Sequence, residues 1–210
     1  MVALVVAPLL ALVVAAVVFV VLRDAAGTRS YTMPADSMSP MLTAGDHFEA
    51  EVVDDYEPRR GDVIVFDDPG GWLIIAVDNG KLVKRVIGIP GDTVVCCDDN
   101  GWLVVNGEPL DETAYVADDP GVDCAGPMTG TCDWTAGPVP DGRLFVMGDN
   151  RANSADSSVH VCFDDVDCDP KEGYVPVDLV VGKVFALAWP PGRAEFIGGA
   201  DAFEDVPDPS

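Results

Sequence analysis

The chain opens with an apolar run from Val2 to Leu22 that contains no charged residue. At about 1.5 Å per residue, a helix of this length crosses the roughly 30 Å of hydrocarbon in a bilayer. A cleaved signal peptide is the alternative, but its apolar core is typically only about 7–15 residues long and follows a basic segment. We therefore expect a retained transmembrane anchor over residues 1–22, followed by a linker over residues 23–31.

The remaining chain consists of short segments rich in β-branched and aromatic residues, separated by Gly, Pro, Asp and Asn. The predicted strands are residues 51–53, 62–66, 72–77, 81–87, 93–95, 102–105, 144–147 and 179–187. Asp78-Asn79-Gly80 and Asp99-Asn100-Gly101 have the composition of hairpin turns, because Asn-Gly tolerates positive φ. No long amphipathic helix is evident, so the sequence predicts a mostly β domain over residues 32–197.

Two stretches depart from this pattern. Residues from about 96 to 142 are rich in Gly, Pro and Asp, which predicts a small lobe inserted into the main sheet. Residues 198–210 are acidic and contain prolines, which predicts a disordered tail.

The formal net charge is −24, from 36 acidic and 12 basic side chains. Such a surface repels nucleic acid and argues against a nucleic-acid partner. The acid excess is compatible with adaptation to high salt, and an acidic composition without any special habitat is the ordinary alternative. The length accommodates one anchor and one domain with a full-sized core.

The even set of six cysteines indicates disulfides in a domain outside the cytoplasm. The set is Cys96, Cys97, Cys124, Cys132, Cys162 and Cys168. Pairs of Cys124 with Cys132 and of Cys162 with Cys168 would each close a short loop, whereas Cys96 and Cys97 would have distant partners or stay reduced.

Neither the cysteines nor the acidic residues predict a metal site. No cysteine or histidine spacing is typical of zinc. Asp165, Asp167 and Asp169 resemble part of a calcium loop, but the turn glycine and the terminal glutamate of an EF-hand are missing. We expect a solvated acidic loop and no cofactor.

Three strings follow the apolar run in a fixed order. They are Met33-Pro34-Ala35-Asp36-Ser37-Met38-Ser39-Pro40-Met41-Leu42, Lys84-Arg85-Val86-Ile87-Gly88-Ile89-Pro90-Gly91-Asp92 and Gly148-Asp149-Asn150-Arg151-Ala152-Asn153-Ser154-Ala155-Asp156-Ser157. Together they resemble the bacterial type I signal peptidases, which cut secretory signal peptides with a serine nucleophile and a lysine base. The resemblance extends from about Met33 to Pro191.

This resemblance implies a set of roles. Ser37 is the nucleophile, whose backbone N–H also stabilises the oxyanion, and Lys84 is the general base and then acid. Ser154 supplies a hydroxyl that orients the amine. The implied structural residues are Arg85, Asp149, Arg151 and Asp156, and we expect Arg85 to pair with Asp156.

A lysine can act as a base only when its amine is neutral at working pH. Burial in apolar surroundings lowers a lysine pKa by as much as 3–5 units, because the ammonium loses its hydration. Alternation along the predicted strand places Leu82, Lys84 and Val86 on one face, which would have to be apolar and closed. A solvated surface lysine beside Arg85 is the ordinary alternative.

Signal peptides end in small residues one and three positions before the cut, so the resemblance also implies a shallow apolar pocket. Its expected lining is Met33, Pro34, Ala35, Met38, Leu42, Leu82 and Val83. The extended substrate would add its backbone to the segments 33–37 and 82–84. The implied partners are signal peptides and the lipid bilayer. The implied location is the outer side of the cytoplasmic membrane, with the chain acting as a monomer.

Two alternatives remain open at this point. His47 or His160 could activate Ser37 together with an aspartate, as in a Ser-His-Asp arrangement. The chain could also be a membrane-tethered, disulfide-bonded β module that binds extended peptides without cutting them. Departures from the family's usual residues favour that second alternative, and they are Ala35, Met41 and Ser158.

Overall fold

The structure is a computed structural model that describes residues 27–73, 80–117, 132–161, 169 and 171–209. Its strands in chain order are β1 (Thr28–Thr32), β2 (His47–Val52), β3 (Val63–Asp67), β4 (Lys81–Gly88), β5 (Val94–Cys96), β6 (Leu103–Val105), β7 (Glu108–Pro109), β8 (Trp134–Ala136), β9 (Arg143–Met147), β10 (Val175–Pro176), β11 (Val180–Trp189) and β12 (Glu195–Phe196). One short helix, α1, spans Ser157–His160, and single 3₁₀ turns lie at Arg151–Asn153, Val177–Leu179, Pro191–Arg193 and Asp201–Phe203.

The strands form two antiparallel sheets. The larger has the order β1-β2-β11-β3-β4-β9-β10, with β12 paired to β11, and the smaller has the order β7-β6-β5-β8. The mostly β prediction is therefore confirmed. In the smaller sheet the predicted Asp99-Asn100-Gly101 turn joins β5 to β6, and the Gly101 N–H donates to Asp98 O over 3.0 Å.

The β4 strand lies at the centre of the larger sheet and is covered on both faces. Leu82 and Val86 pack into one apolar cluster with Ile64 and Phe66 of β3. Val83 belongs to a different cluster, which includes Met33 and Met38. This alternation follows from the two-residue period of a strand, and the polar side chains of Lys84 and Arg85 are buried with it.

The two sheets share a core. Ile87, Phe145 and Met147 of the larger sheet pack in one cluster with Val94, Leu103 and Trp134 of the smaller sheet. Residues of the predicted insertion thus form a sheet that rests on the main one, and its burial stabilises both.

Two segments differ from the sequence prediction. The end of the predicted linker forms β1, because Thr28–Thr32 is rich in β-branched and aromatic residues and pairs with β2. The predicted disordered tail is ordered up to residue 209. Phe203 and Val206 insert into the core shared by the sheets, and Arg60 donates to the carbonyl oxygens of Val206 and Pro207. The segment is ordered because these apolar side chains are buried, although its overall composition is acidic.

The cysteine prediction requires a correction. Cys96 and Cys97 form a disulfide with each other instead of with distant partners. The β-sheet register explains this, because Leu103 and Trp134 lie opposite Cys96 and no cysteine does. Cys132 is disulfide-bonded. Cys124, Cys162 and Cys168 lie outside the described residues, so the predicted short loops stay predictions.

Other predictions also fall partly outside the described residues. These include the anchor at residues 1–22 and most of the predicted strand at residues 72–77, of which Trp72 and Leu73 are described and are not in a strand. Within the described ranges, none of the helices has the length and apolar character required for a membrane span.

Candidate active site

Ser37 lies in a tight turn between β1 and β2. Met38 and Leu42 form an isolated bridge, and both side chains are fully buried, which anchors the turn in the core. Asp36 stabilises the same turn, because its Oδ1 accepts from the Ala44 N–H over 2.8 Å. Ser37 itself is half-buried, so its hydroxyl is accessible while its backbone is fixed.

Lys84 projects from the middle of β4 toward this turn. Its Nζ lies 2.8 Å from Ser37 Oγ, which is hydrogen-bonding distance. The side chain is only 3% exposed, and within the described part of the chain no carboxylate forms an ion pair with it. The lysine is therefore the enclosed residue that the sequence argument required.

Burial lowers the pKa of Lys84 to about 8, although the carboxylates of Asp156 and Asp149 raise it in part. The desolvation of the ammonium outweighs these two attractions. A substantial fraction of the amine is neutral just above neutral pH. A neutral amine accepts the Ser37 proton, whereas the ammonium donates to Ser37 Oγ.

The loop after β9 closes the site from the other side. Gly148 has no side chain there, and a Cβ at this position would lie 2.3 Å from both Ser37 O and Ser154 Oγ. The Asn150 N–H donates to Ser37 O over 3.1 Å, and Asn150 Nδ2 donates to Asp36 O over 3.1 Å. Only glycine permits this close approach of the loop to the Ser37 turn.

Asp156 organises the same loop. Its Oδ2 accepts from the Gly148 N–H over 3.0 Å and from Ser154 Oγ over 2.6 Å. Its Oδ1 caps α1 by accepting from the backbone N–H and the hydroxyl of Ser158. All four of these donors are neutral groups.

The predicted pairing of Arg85 with Asp156 is wrong. Arg85 instead forms a bidentate pair with Asp149, at 2.8 and 2.7 Å, and also donates to Gly61 O over 2.8 Å. The reason is strand alternation, because Arg85 and Lys84 leave β4 on opposite faces. Arg85 therefore lies on the face of β4 opposite to Lys84. On that face, its guanidinium lies 3.4 Å from Met41 Sδ.

Ser154 lies at the site but forms no hydrogen bond to Lys84 within the described residues. Its hydroxyl proton is directed to Asp156. Its oxygen lies close to Gly148, as Ser37 O does, because a Cβ on Gly148 would be 2.3 Å from each of these oxygens. The role of orienting the amine stays a prediction.

Arg151 has a buried partner that the sequence did not indicate. Glu112 accepts from Arg151 at 2.8 and 2.6 Å, and Tyr115 donates its hydroxyl to the same carboxylate over 2.6 Å. The Arg85 guanidinium stacks over the Tyr115 ring at 4.2 Å. Glu112 is one acidic residue among 36 and stands in the predicted insertion, so no local signal distinguished it.

The expected pocket residues are divided by the structure. Met33, Met38, Leu42 and Val83 pack in one cluster beside the Ser37 turn. Leu82 belongs to the cluster on the opposite face of β4. Pro34 and Ala35 are exposed on the turn itself, so the structure brings most, but not all, of the predicted lining together.

Neither histidine contacts Ser37. His160 stacks on Trp72 with ring centroids 4.7 Å apart, and burial lowers its pKa. His47 is exposed, and its Nδ1 lies 3.2 Å from Thr32 Oγ1. The Ser-His-Asp alternative therefore has no geometric support.

The described ranges contain no cluster of three or more His, Cys, Asp or Glu side chains with the geometry to hold a metal ion. Asp165 and Asp167 lie outside those ranges, and Asp169 is described. The site contains the Ser37 hydroxyl, the Lys84 amine of lowered pKa and the Ser37 backbone N–H. These groups are sufficient for acyl transfer through a serine ester.

The chain matches known proteins over most of its length. The family described as "Signal peptidase, peptidase S26" matches residues 5–189. Signal peptidase I of Mycobacterium tuberculosis strain H37Rv is 37% identical over 203 residues, which cover 79% of this chain and 66% of that protein. Signal peptidase I of Leptolyngbya laminosa is 31% identical over 171 residues, covering 79% of this chain and 71% of that protein.

The chain thus spans about two thirds of the length of the mycobacterial relative. A solved signal peptidase I from Enterococcus faecalis V583 aligns with a TM-score of 0.37 and 26% identity, over 61% of this chain and 97% of that chain.

Proposed function

The chain belongs to the signal peptidase family, peptidase S26, and from this premise we propose that it is a serine endopeptidase that removes signal peptides from exported pre-proteins. The observation that carries the proposal is the 2.8 Å contact between Ser37 Oγ and a buried Lys84 Nζ. The alternative of a non-catalytic peptide-binding module has no support, because its motif departures leave this contact intact.

The proposed reaction uses these two groups in sequence. The neutral Lys84 amine takes the Ser37 hydroxyl proton while Oγ attacks the scissile carbonyl carbon, and the Ser37 N–H stabilises the resulting oxyanion. Lys84 then gives its proton to the leaving amine of the mature protein, which leaves an ester on Ser37. The same amine then takes a proton from water, which attacks the ester carbonyl, and it returns this proton to Ser37 Oγ as the signal peptide leaves with a free carboxylate.

The substrate can bind by pairing with β4. On the β9 side, the paired residues of β4 start at Arg85, opposite Met147. Within the described ranges, Leu82, Val83 and Lys84 have no strand on that side, so their backbone groups can pair with an extended peptide. Such a peptide would run along the backbone of residues 82–84 and past the Ser37 turn, and present its scissile carbonyl to Ser37. Met33, Met38 and Val83 are buried beneath this path, so they would support it from the core.

We also propose the location of this chemistry. The apolar run from Val2 to Leu22 anchors the chain once in the cytoplasmic membrane, and the domain from residue 32 acts on the outer side as a monomer. A membrane-held enzyme meets a substrate that is still threaded through the same bilayer. The location is tested by protease accessibility of the domain in spheroplasts.

The test of the function uses a pre-protein with an Ala-x-Ala cleavage site and the full chain in detergent. We expect Ser37→Ala and Lys84→Ala each to abolish cleavage with unchanged thermal melting, because nucleophile and base act as a unit. Ser39→Ala, in the same turn, and Lys171→Ala, which removes an exposed amine, serve as matched controls that keep activity. Turnover by Lys84→Ala, with loss in His160→Ala or His47→Ala, would refute the lysine mechanism.

A further inference from the structure

Asn150 holds the Ser37 turn through two separate groups. Its backbone N–H donates to Ser37 O, and its side-chain Nδ2 donates to Asp36 O, each over 3.1 Å. A carbonyl oxygen accepts only, so the atom facing Asp36 O has to be the nitrogen of the carboxamide. Asp36 O accepts a further bond from the Ser39 N–H over 3.0 Å.

The carbonyl of Asp36 and the N–H of Ser37 belong to one peptide unit. This unit is planar, and in the trans form its C=O and N–H point in opposite directions. A donor that fixes the direction of Asp36 O therefore fixes the direction of the Ser37 N–H. The two bonds to Asp36 O also polarise the peptide and strengthen the N–H as a donor.

The Ser37 N–H is free to serve the reaction. Among the described residues it donates to no acceptor. Ala35, on the same turn, has no hydroxyl to offer. If the chain acts as proposed, oxyanion stabilisation thus depends strongly on the orientation of the Ser37 backbone N–H.

We propose that Asn150 is a positioning residue for oxyanion stabilisation, acting through the Asp36–Ser37 peptide unit and not through contact with the substrate. The proposal rests on the proposed function, because it assigns the N–H to the oxyanion formed when Ser37 attacks. The backbone bond from residue 150 to Ser37 O does not depend on the side chain, so any substitution other than proline retains the docking of the turn on the loop.

The primary test is Asn150→Ala in the full chain, with Asn153→Ala in the same loop as control. Asn153 is exposed, and only its backbone N–H is bonded, to Asn150 O. Removal of an oxyanion donor itself costs roughly 10²–10³ in kcat. Loss of its alignment should cost less, so we expect kcat to fall about 10- to 100-fold while KM changes by less than about 2-fold.

A binding measurement separates alignment from general damage. A peptide aldehyde forms a hemiacetal with Ser37 Oγ, and its oxygen occupies the oxyanion position, whereas an uncleavable peptide of the same sequence does not react. We expect Asn150→Ala to weaken binding of the aldehyde by the same factor by which kcat falls. The affinity for the uncleavable peptide should stay unchanged. The acid limb of the pH–rate profile should keep its midpoint, because Asn150 is neutral and does not contact Lys84.

A kcat within about 2-fold of the parent in Asn150→Ala overturns the proposal, as does equal weakening of both peptides. If Asn150→Ala does not fold, Asn150→Leu keeps a neutral side chain of similar size, removes the donor and is read in the same way. Ser37→Ala distinguishes the two levels of the argument. Activity in Ser37→Ala refutes the proposed function, whereas an inactive Ser37→Ala with a fully active Asn150→Ala refutes only the role of Asn150.

Discussion

At the scale of single residues, the pKa of Lys84 results from opposing effects. Burial lowers its pKa to about 8, and the negative charges of Asp156 and Asp149 raise it. Asp149 is bonded to the Arg85 guanidinium, which compensates its charge locally. Asp156 has only neutral donors, including the hydroxyl of Ser158. The serine at position 158 thus leaves Asp156 as the less compensated carboxylate near the base.

This arrangement predicts the pH dependence. The rate requires a neutral amine, so it should rise with pH through a midpoint near 8 and then level off. In Asp156→Asn the ammonium loses a favourable charge, the pKa of Lys84 falls, and the midpoint should move to lower pH. The loop also loses bonds in this variant, which changes the height of the plateau, so the midpoint is the quantity to compare.

The control for this measurement is Asp178→Asn, which removes one charge at an exposed position. It should leave the midpoint within about 0.2 units, because screening weakens distant surface charges. A midpoint that moves upward in Asp156→Asn, or equally in both variants, would contradict this account of the base.

At the scale of elements, the site is the junction of a strand and two loops. The β4 strand delivers Lys84, the turn after β1 delivers Ser37, and the loop after β9 holds them together at Gly148. The positions of Ser37 and Lys84 were predictable because they stand in ordered strings of the sequence. The pairing of Arg85 with Asp149 was not, since it depends on which face of β4 each side chain leaves and how the β9 loop passes it.

Gly148→Ala tests the close contact of the two loops. The added Cβ would lie 2.3 Å from Ser37 O and from Ser154 Oγ, so the turn has to move away from the loop. Displacement of reacting groups by about 1 Å can cost roughly 10²-fold, and we expect kcat/KM to fall by at least this factor. Steady-state kinetics on an Ala-x-Ala peptide measures it.

Gly192→Ala is the matched control for Gly148→Ala, because a Cβ at Gly192 meets no atom within 4 Å. It should retain parental kcat/KM. A fully active Gly148→Ala would show that the Ser37 turn and the β9 loop need not be in close contact during turnover.

At the scale of the whole molecule, the C-terminal segment joins the two sheets. Phe203 and Val206 complete the shared core, and Arg60 connects the segment to Asp92 through a bidentate pair at 2.7 Å. The acidic, proline-containing composition predicted disorder. Composition reflects only the average polarity of a segment and does not show that two of its apolar side chains are buried in the core. Likewise, the sequence indicated a β domain with an insertion but could not show that the insertion packs on the main sheet, since that contact joins distant parts of the chain.

The importance of this segment is measurable with a pair of phenylalanines. Phe203 is 7% exposed and Phe196 is 89% exposed. Phe203→Ala should lower the free energy of unfolding by about 3–5 kcal/mol, as for other buried phenylalanines, whereas Phe196→Ala should change it by less than about 0.5 kcal/mol. Urea unfolding of the full chain in detergent compares the two, and equal stability would show that residues 198–209 do not contribute to the core.

The bond between Arg151 and Glu112 restricts how this protein can be shortened. Glu112 lies in the stretch from 96 to 142, while Arg151 lies beside the reactive groups and is 4% exposed. Excision of that stretch would remove the Glu112 carboxylate from a buried guanidinium, and removal of one partner of a buried pair costs about 3–5 kcal/mol. A minimal version of the enzyme would therefore require a neutral side chain at position 151 together with the deletion. The smaller sheet cannot be removed without this second change.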